Sequence, residues 1–321
     1  YDLIIIGGSA AATAAGIYAV RRNLNFKIIS KDFGGEVATS GEVDNYPGVP
    51  DSNGIELAER FRKHLADYGV EPELGVEVEK IERLEDGTFC LTAKKDGATG
   101  MALEKISGEG EKTLKCDYVA KTVIVATGVH PRELNVPSEK DLRNKGVSYC
   151  TVCDGPLFKG KTVAIVGGGN SALEAGIMMA GIASKVYMIN KNPAFKGEQV
   201  LMDNLMKNKN VEIIYNAITT EIFGDGFVSG LKYKGLDGEK ELKLDGIFIH
   251  IGMLPNSGLA PEGIEKNNFG EIVVSKNCET GIPGLFAAGD VTDVPFKQIV
   301  ISAGQGTCAL LQAVNYLNMM K

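Results

Sequence analysis

A short apolar run, a glycine-rich turn and a small-residue helix follow one another twice in this sequence. In the first copy Leu3–Ile6 leads into Gly7-Gly8-Ser9, and in the second Val163–Val166 leads into Gly167-Gly168-Gly169. Each copy continues into a helix and a further apolar strand, which is the βαβ unit typical of dinucleotide-binding folds. Because the copies begin about 160 residues apart, they predict two nucleotide-binding domains rather than one duplicated loop.

Composition and charge exclude several classes of function. The 321 residues exceed one typical domain, and a hydrophobic content of 44% can fill a sizeable core. The net charge of −7, with no Lys/Arg-rich stretch, argues against a nucleic-acid partner. No apolar run approaches the ~20 residues that span a bilayer, and the chain opens on a strand-like run without a leader-like segment. We therefore expect a cytoplasmic protein with no membrane partner.

The first glycine turn only partly fits the G-x-G-x-x-G/A pattern. Gly7 fills its first position, Ser9 replaces the second glycine, and Ala12 fills the third. Serine is small and can still donate a hydrogen bond, so a phosphate site beside Ala10 is compatible with this turn. The acidic residue expected ~20 residues further on has no clear counterpart, since Ser30 and Lys31 stand at the end of the next strand.

Further turns along the chain support a nucleotide site in the same domain. Gly34-Gly35-Glu36 and the loop around Asn45 carry specific turn residues, and Thr127-Gly128 and Gly289-Asp290 follow apolar strands. An aspartate after a strand-end glycine can accept hydrogen bonds from a ribityl chain, and the alternative for Asp290 is the N-cap of the following helix.

Two of the six cysteines, Cys150 and Cys153, form a C-x-x-C pair. Such a pair is either redox-active or half of a zinc site, and zinc needs further ligands nearby. The three histidines are isolated and no second cysteine pair exists, so we predict no metal and a redox role. Asp154 follows at once and can protonate a leaving thiolate; its alternative is a helix cap. We interpret the remaining four as small buried hydrophobes: Cys90, Cys116, Cys278 and Cys308.

The second glycine turn fits the pattern better, but the residues that distinguish cofactors are absent. Gly167, Gly169 and Ala172 fill the three positions, and Asn170 and Ser171 open the helix. The next strand ends in neither an acid, as for NADH, nor an arginine, as for NADPH. It ends in Asn190 and Lys191, with Lys196 beyond, and lysines bind a phosphate only as point charges.

Taken in order, these motifs resemble those of low-molecular-weight thioredoxin reductases and of the flavoprotein module of alkyl hydroperoxide reductase. The resemblance covers essentially the whole chain, and Cys150-x-x-Cys153-Asp154-Gly155 and Ala287-Ala288-Gly289-Asp290 are its most specific parts. The stretch from Cys153 to Gly160 is most similar to the peroxide-reductase flavoprotein. That protein has an additional N-terminal thioredoxin-like module, so we expect an external carrier to accept the electrons here.

The resemblance implies an α/β fold with two Rossmann-like three-layer domains, the nicotinamide-type domain being inserted into the FAD domain. It implies FAD-domain segments 1–133 and 252–321 around a domain at 134–251 that carries the cysteine pair. It also implies a homodimer and two domains that swivel. The implied FAD contacts are Gly7, Ser9, Ala10, Gly34, Gly35, Glu36, Asn45, Thr127, Gly128, Gly289, Asp290, Lys297 and Gln298. The possible nicotinamide contacts are Gly167, Gly169, Asn170, Ser171, Asn190, Lys191 and Lys196.

Three departures leave the electron donor open. Ser9 replaces a glycine in the FAD turn, the arginine set that grips NADPH is missing, and the polar, Gly-rich stretch Lys94–Lys112 is longer than in relatives. We expect that stretch to form an exposed hairpin or a mobile loop. The leading hypothesis is reduction of a thioredoxin-like protein disulfide with electrons from NADPH or NADH. The alternatives are a ferredoxin-type or deazaflavin donor, and a flavin-based redox sensor.

Overall fold

The computed structural model describes residues 1–95, 103–107 and 112–320. Its contacts divide the chain into two compact units, a first unit of Tyr1–His130 with Leu254–Lys321 and an inserted unit of Pro131–Met253. The predicted domain boundaries, after residues 133 and 251, stay a prediction. No helix in the described part of the chain is both long and apolar enough to cross a membrane.

The chain enters the first unit through alternating strands and helices and then a meander. The elements are β1 (Leu3–Ile6), α1 (Ala10–Arg21), β2 (Phe26–Ile29), β3 (Glu42–Val43), β4 (Ser52–Asn53), α2 (Gly54–Asp67), β5 (Val76–Arg83), β6 (Phe89–Lys95), β7 (Leu103–Ser107), β8 (Lys112–Cys116), β9 (Tyr118–Ala120), β10 (Thr122–Val125) and β11 (Val129–Pro131).

The inserted unit and the return segment contain the remaining elements. They are β12 (Val147–Ser148), α3 (Thr151–Asp154) with a 3₁₀ turn (Gly155–Phe158), β13 (Thr162–Val166), α4 (Asn170–Ala180), β14 (Lys185–Ile189), α5 (Gln199–Met206), β15 (Val211–Ile214), β16 (Ile218–Phe223), β17 (Gly230–Gly235), β18 (Gly238–Lys243), β19 (Gly246–Ile249), β20 (Met253–Pro255), β21 (Leu285–Ala287) and α6 (Ile299–Met319).

A parallel sheet in the order β2-β1-β10-β21 is the centre of the first unit. β1 is buried along its whole length, as expected for a strand covered on both faces. β2 and β10 flank β1 on opposite sides, so the strand order reverses at the carboxyl end of β1. Open α/β sheets bind their ligands at this kind of switch point, which directs attention to the turn at Gly7.

Helices α1 and α6 pack closely because their facing residues are small. A Cβ added at Gly306 of α6 would lie 2.0 Å from the carbonyl oxygen of Ala11 in α1. The two backbones therefore approach as closely as a glycine allows. Ala11, Ala309 and Ala313 belong to the same buried cluster, so α6 completes the core on the α1 side of the sheet.

β7 and β8 pair in antiparallel fashion, with Leu103 opposite Cys116. The rest of Lys94–Lys112 lies largely outside the described residues. The interpretation of Cys90 and Cys116 as unpaired hydrophobes was wrong, because they form a disulfide with Cα atoms 5.3 Å apart. β6 and the end of β8 approach each other in space, although their cysteines lie 26 positions apart in sequence, and that distance suits a disulfide.

The inserted unit has a five-stranded parallel sheet in the order β12-β19-β13-β14-β15, with a separate antiparallel meander β16-β17-β18. β13 lies between β19 and β14, so its carboxyl end is again a switch point. The predicted pair of Rossmann-like units is therefore confirmed, whereas α3, α5 and the meander were not predicted.

Candidate active site

Cys150 and Cys153 are joined by a disulfide, with their Cα atoms 5.3 Å apart. Cys150 occupies the N-cap position of α3, and its sulfur accepts a hydrogen bond from the Cys153 backbone N–H at 3.2 Å. Both residues are partly exposed, and Val152 between them is 57% exposed. The pair is therefore oxidised and open to approach, which favours the redox interpretation over the zinc alternative.

Asp154 is held by a serine that precedes the disulfide. The Ser148 hydroxyl donates to Asp154 Oδ2 at 2.5 Å and accepts from the Cys150 backbone N–H at 3.1 Å. Ser148 itself is buried at the end of β12. The alternative role of Asp154 as a side-chain cap is not seen in the described structure, since its carboxylate makes no cap bond to the 3₁₀ turn. The carboxyl group thus has a fixed place beside the cysteine pair.

A partly buried histidine contacts the segment between the cysteines. His250 Nε2 and Thr151 Oγ1 are 2.5 Å apart, although the residues are 99 positions apart in sequence. Burial lowers the pKa of His250 to about 4, so the imidazole is neutral at pH 7. His250 follows β19, and its carbonyl oxygen approaches Gly167. This histidine therefore lies between the disulfide helix and the second glycine turn.

Tyr149, next to Cys150, is tied to the buried carboxylate of Glu139. The Tyr149 hydroxyl donates to Glu139 Oε1 at 2.8 Å, and the backbone N–H groups of Leu134 and Asn135 donate at 2.8 and 2.7 Å. Burial, and then the hydrogen bond to Glu139, raises the pKa of Tyr149. The carboxylate thus fixes the approach of the chain to Cys150 through several hydrogen bonds.

The turn after β1 leaves no room for side chains at its glycines. Gly7 has φ of 138°, and a Cβ there would lie 2.2 Å from the Ala126 carbonyl oxygen. A Cβ on Gly8 would lie 2.4 Å from the Asp32 carbonyl oxygen. The backbone is therefore tightly packed below the amino end of α1, as a pyrophosphate-binding turn requires.

Ser9 occupies the N-cap position of α1 without capping it. In the described structure its side chain makes no cap bond to the first turn, and its hydroxyl instead donates to the Gly34 carbonyl oxygen at 2.7 Å. The first-turn N–H groups, beginning at Ala10, thus remain available to a phosphate at the positive end of the helix dipole. Ser9 also connects this turn to the Gly34-Gly35-Glu36 loop, in which Gly35 has φ of 52°.

The remaining predicted flavin contacts lie in the first unit, on loops far apart in sequence. Asn45 Nδ2 donates to Gln298 Oε1 at 3.3 Å. The Thr127 hydroxyl donates to the Asn256 carbonyl oxygen at 2.7 Å, and Gly128 has φ of 68° with open space at its Cβ position. The structure thus joins Asn45 to Gln298 and fixes the Thr127-Gly128 turn.

The Gly289-Asp290 turn is held by two residues of α6 that the sequence did not indicate. The Ser302 hydroxyl donates to Asp290 Oδ1 at 2.8 Å, and the Gly289 N–H donates to Gln305 Oε1 at 2.8 Å. Burial raises the pKa of Asp290. Lys297, a predicted cofactor contact, pairs with Glu271 at 2.8 Å. Asp290 is not the N-cap of α6, which is Gln298.

These features fit FAD in the first unit. The crowded Gly7 turn and the uncapped start of α1 suit a pyrophosphate, and the partly buried carboxylate of Asp290 can accept hydrogen bonds from a ribityl chain. The assignment of individual flavin contacts stays a prediction.

The second glycine turn has the same construction in the inserted unit. A Cβ on Gly167 would lie 2.2 Å from the His250 carbonyl oxygen, and Gly169 is the N-cap of α4. As far as the structure is described, no side chain caps that helix. Asn170 and Glu198 hydrogen-bond reciprocally at 3.0 and 2.8 Å, and Ser171 is exposed. A dinucleotide phosphate therefore fits here as well.

The loop after β14 is folded on itself around Asn190. This side chain is buried, donates to the Ala194 carbonyl oxygen at 3.0 Å and accepts from the Asn192 N–H at 3.0 Å. Lys191 and Lys196 are exposed. The Asn190 amide is thus used internally, and the two lysines are the cations that the loop offers to a ligand.

Comparisons with known proteins assign the chain to a family. A family model described as pyridine nucleotide-disulphide oxidoreductase matches residues 1–306. One subunit of the alkyl hydroperoxide reductase of Escherichia coli (strain K12) is 41% identical over 320 residues, which are 99% of this chain and 58% of that protein. The chain therefore spans less than two thirds of the length of that relative.

Solved structures cover the whole chain. Thioredoxin reductase from Streptococcus pyogenes aligns with a TM-score of 0.87 and 32% identity, covering 99% of this chain and 98% of that one. A ferredoxin-flavin thioredoxin reductase from Clostridium acetobutylicum aligns with a TM-score of 0.51 and 31% identity, covering 100% and 98%. The chain therefore belongs to the pyridine nucleotide-disulphide oxidoreductase family, and this membership indicates FAD as its cofactor.

Proposed function

We propose that the Cys150–Cys153 disulfide is the catalytic one and that, once reduced, it transfers electrons to the disulfide of a thioredoxin-like protein. The observation that carries the proposal is the oxidised, partly exposed pair with a carboxyl group fixed beside it by Ser148. The exposed apolar side chains of Val152 and Leu157, next to the pair, supply surface for a protein partner.

The transfer requires two exchange steps. A thiolate of the reduced pair attacks the partner's disulfide, so that a mixed disulfide forms and one partner thiolate leaves. The second sulfur of the pair then attacks the mixed disulfide, which restores Cys150–Cys153 and releases the second partner thiolate. Asp154 supplies a proton to a leaving thiolate. When bound, FAD would supply the electron pair that reopens the Cys150–Cys153 disulfide.

The electrons are proposed to come from a nicotinamide dinucleotide at the second glycine turn, with NADH preferred over NADPH. Residues 190–198 contain no arginine, and the carboxylate of Glu198 lies next to Asn170 at the start of α4. A 2′-phosphate would therefore meet only the exposed point charges of Lys191 and Lys196. Anaerobic bleaching of the flavin by each nucleotide tests this, and a clear preference for NADPH would contradict it.

Two alternatives have specific support. The likeness to the ferredoxin-flavin thioredoxin reductase supports a ferredoxin-type donor, which would be indicated if neither nucleotide bleaches a flavin that dithionite bleaches. The likeness to the alkyl hydroperoxide reductase of Escherichia coli supports a second alternative, in which the disulfide to be reduced belongs to a peroxide-reducing partner protein. A redox sensor would bleach but would not turn over with either protein disulfide. Assembly as a homodimer and a cytoplasmic location stay predictions.

The proposal is tested with Cys150→Ser and Cys153→Ser in the FAD-loaded chain. Both variants should retain the flavin spectrum, because the first unit is unchanged, and both should lose reduction of a thioredoxin disulfide. Cys308→Ser is the matched control and should keep the activity. Turnover retained in either catalytic-pair variant would overturn the proposed mechanism.

A further inference from the structure

Two thiols in the first unit lie outside the disulfide chemistry described above. Cys278 and Cys308 are the cysteines that remain free in the described part of the chain. Cys278 follows a turn of the return segment, and Cys308 lies in the middle of α6. Neither is close in sequence to a residue proposed to act in catalysis, so any chemistry of these thiols is separate from that of Cys150–Cys153.

Reciprocal contacts bring the two thiols together. Cys278 Sγ donates to the carbonyl oxygen of Gln305 at 3.5 Å, and Gln305 lies one helical turn before Cys308. Cys308 Sγ in turn lies 3.7 Å from the carbonyl oxygen of Lys276, two residues before Cys278. Each sulfur therefore contacts the backbone of the segment that carries the other cysteine.

The backbone at Cys278 has an unusual conformation. Its φ of 63° is in the left-handed region, which is unfavourable for a residue with a Cβ. Hydrogen bonds on both sides hold this conformation, from Cys278 N–H to the Ser275 carbonyl oxygen at 2.9 Å and from Ala287 N–H to the Cys278 carbonyl oxygen at 3.1 Å. The turn therefore holds the thiol in a fixed position against α6.

The two thiols differ in access to solvent. Cys278 is 1% exposed, whereas Cys308 is partly exposed. Burial, and then the neighbouring Cys308 thiol, raises the pKa of Cys278 well above its ordinary value. A small oxidant therefore reaches Cys308 first. Cys278 then has the position of a resolving thiol, which reacts with the oxidised Cys308.

We propose that Cys278 and Cys308 are a second redox-responsive pair, which a hydroperoxide oxidises to a disulfide. Cys308 attacks the peroxide, forming a sulfenic acid and releasing water or an alcohol. The Cys278 sulfur then attacks the sulfenic sulfur, and its proton leaves with the hydroxyl group as a water molecule. One two-electron oxidant thus oxidises two thiols.

The location of the pair gives such a disulfide a structural consequence. Gln305, whose backbone carbonyl accepts from Cys278, also accepts the N–H of Gly289 with its side chain at 2.8 Å. A covalent link between the Cys278 turn and α6 therefore forms directly behind the Gly289-Asp290 turn proposed to hold FAD. Oxidation therefore introduces a covalent cross-link into the unit proposed to bind the flavin.

The test uses the full FAD-loaded chain with Cys150→Ser and Cys153→Ser, so that it does not depend on the proposed function. The protein is treated with hydrogen peroxide, quenched with catalase, denatured and alkylated without reduction. Trypsin cleaves after Lys276 and Lys297, which places the two cysteines on different peptides. Mass spectrometry should show peptide 277–297 linked to the peptide that begins at 298, with both thiols losing alkylation together and recovering after dithiothreitol.

A Cys308→Ser variant in the same background separates a paired reaction from independent oxidation. Its Cys278 should stay alkylatable after the same peroxide treatment, because the sulfenic acid on which resolution depends cannot form. The proposal is overturned if Cys308 proceeds to sulfinic acid while Cys278 stays alkylatable, or if neither thiol reacts. It is also overturned if Cys278 oxidises equally well without Cys308.

Discussion

The hydroxyl group of Ser148 joins Asp154 to Cys150: it donates to the Asp154 carboxylate at 2.5 Å and accepts from the Cys150 N–H at 3.1 Å. Ser148 is 4% exposed, so water cannot easily replace either bond. The proposed proton donor and the first cysteine of the disulfide are therefore positioned by the same oxygen atom. That oxygen acts through Asp154, which makes Ser148 a positioning residue.

Replacing Ser148 by alanine should slow protein-disulfide reduction by about tenfold, a part of the 10²–10⁴-fold that a positioned acid supplies. Asp154→Asn should slow the reaction more than Ser148→Ala does, because asparagine cannot supply the proton. The measurement is the dependence of turnover on pH. The part of this profile that is set by ionisation of the acid should shift in Ser148→Ala and should disappear in Asp154→Asn.

Two further variants check the positioning role of Ser148. Ser148→Thr keeps the hydroxyl group and should restore the profile. Ser184→Ala removes a hydroxyl that donates to the Lys161 carbonyl oxygen, and it should leave turnover unchanged. A Ser148→Ala enzyme with normal rate and normal pH profile would show that the hydrogen bond does not position the acid.

The neutral state of His250 should make the fold sensitive to mild acid. Its pKa is lowered from 6.5 to about 4 in the folded chain, so the unfolded chain binds more protons between these pH values. The stability contributed by this group is complete above about pH 6.5 and is lost as the pH falls toward 4. The loss should approach about 3 kcal/mol, since one pKa unit corresponds to about 1.4 kcal/mol.

Thermal midpoints between pH 4 and 8 measure this effect. His250→Gln should flatten the decline between pH 6.5 and 4, and the exposed His64→Gln should not. If wild type and His250→Gln declined in parallel over that range, the titration of His250 would not be the cause.

The disulfide between Cys90 and Cys116 should stabilise the first unit. It closes a loop of 26 positions, and a loop of that size corresponds to about 3–4 kcal/mol of stabilisation in the chain-entropy account. Changing both residues to alanine should lower the urea midpoint of unfolding accordingly. Cys308→Ala is the control, and a double variant that unfolds with the midpoint of that control would argue against a stabilising disulfide.

Ser302 should support flavin binding through Asp290. A hydrogen bond to a charged group contributes about 1.5–3 kcal/mol, so Asp290→Asn should weaken FAD binding by at least about tenfold and Ser302→Ala by less. Thr307→Ala on the same helix, whose hydroxyl donates to the Ala303 carbonyl oxygen, is the matched control. The measurement is FAD affinity by fluorescence titration, and unchanged affinity in Asp290→Asn would remove that residue from the cofactor site.

Regular elements with strong local signals could be predicted closely. The regular apolar spacing of residues 54–68 predicts a helix, and α2 spans Gly54–Asp67. The Asn53 side chain caps its start by accepting from the Glu56 N–H. The apolar runs before the two glycine turns correspond to β1 and β13. They could be predicted because continuous apolar strands are typical of buried parallel sheets.

Contacts between distant segments could not be predicted from one sequence. Cys90 meets Cys116 because β9, which follows Cys116, pairs with β6. His250 meets Thr151 across 99 positions. Neither contact leaves a pattern in the sequence around its residues. Ser148 did have a weak signal, a polar residue two positions before Cys150, but its burial became visible only in the structure.

The central claim, that Cys150–Cys153 exchanges electrons with the flavin, is tested most directly by anaerobic titration of the FAD-loaded chain with dithionite. The wild-type chain should take up about two more electrons before full reduction than the Cys150→Ser/Cys153→Ser variant, because one disulfide accepts two electrons. Equal uptake by the two proteins would contradict the claim and would leave the disulfide without a catalytic role.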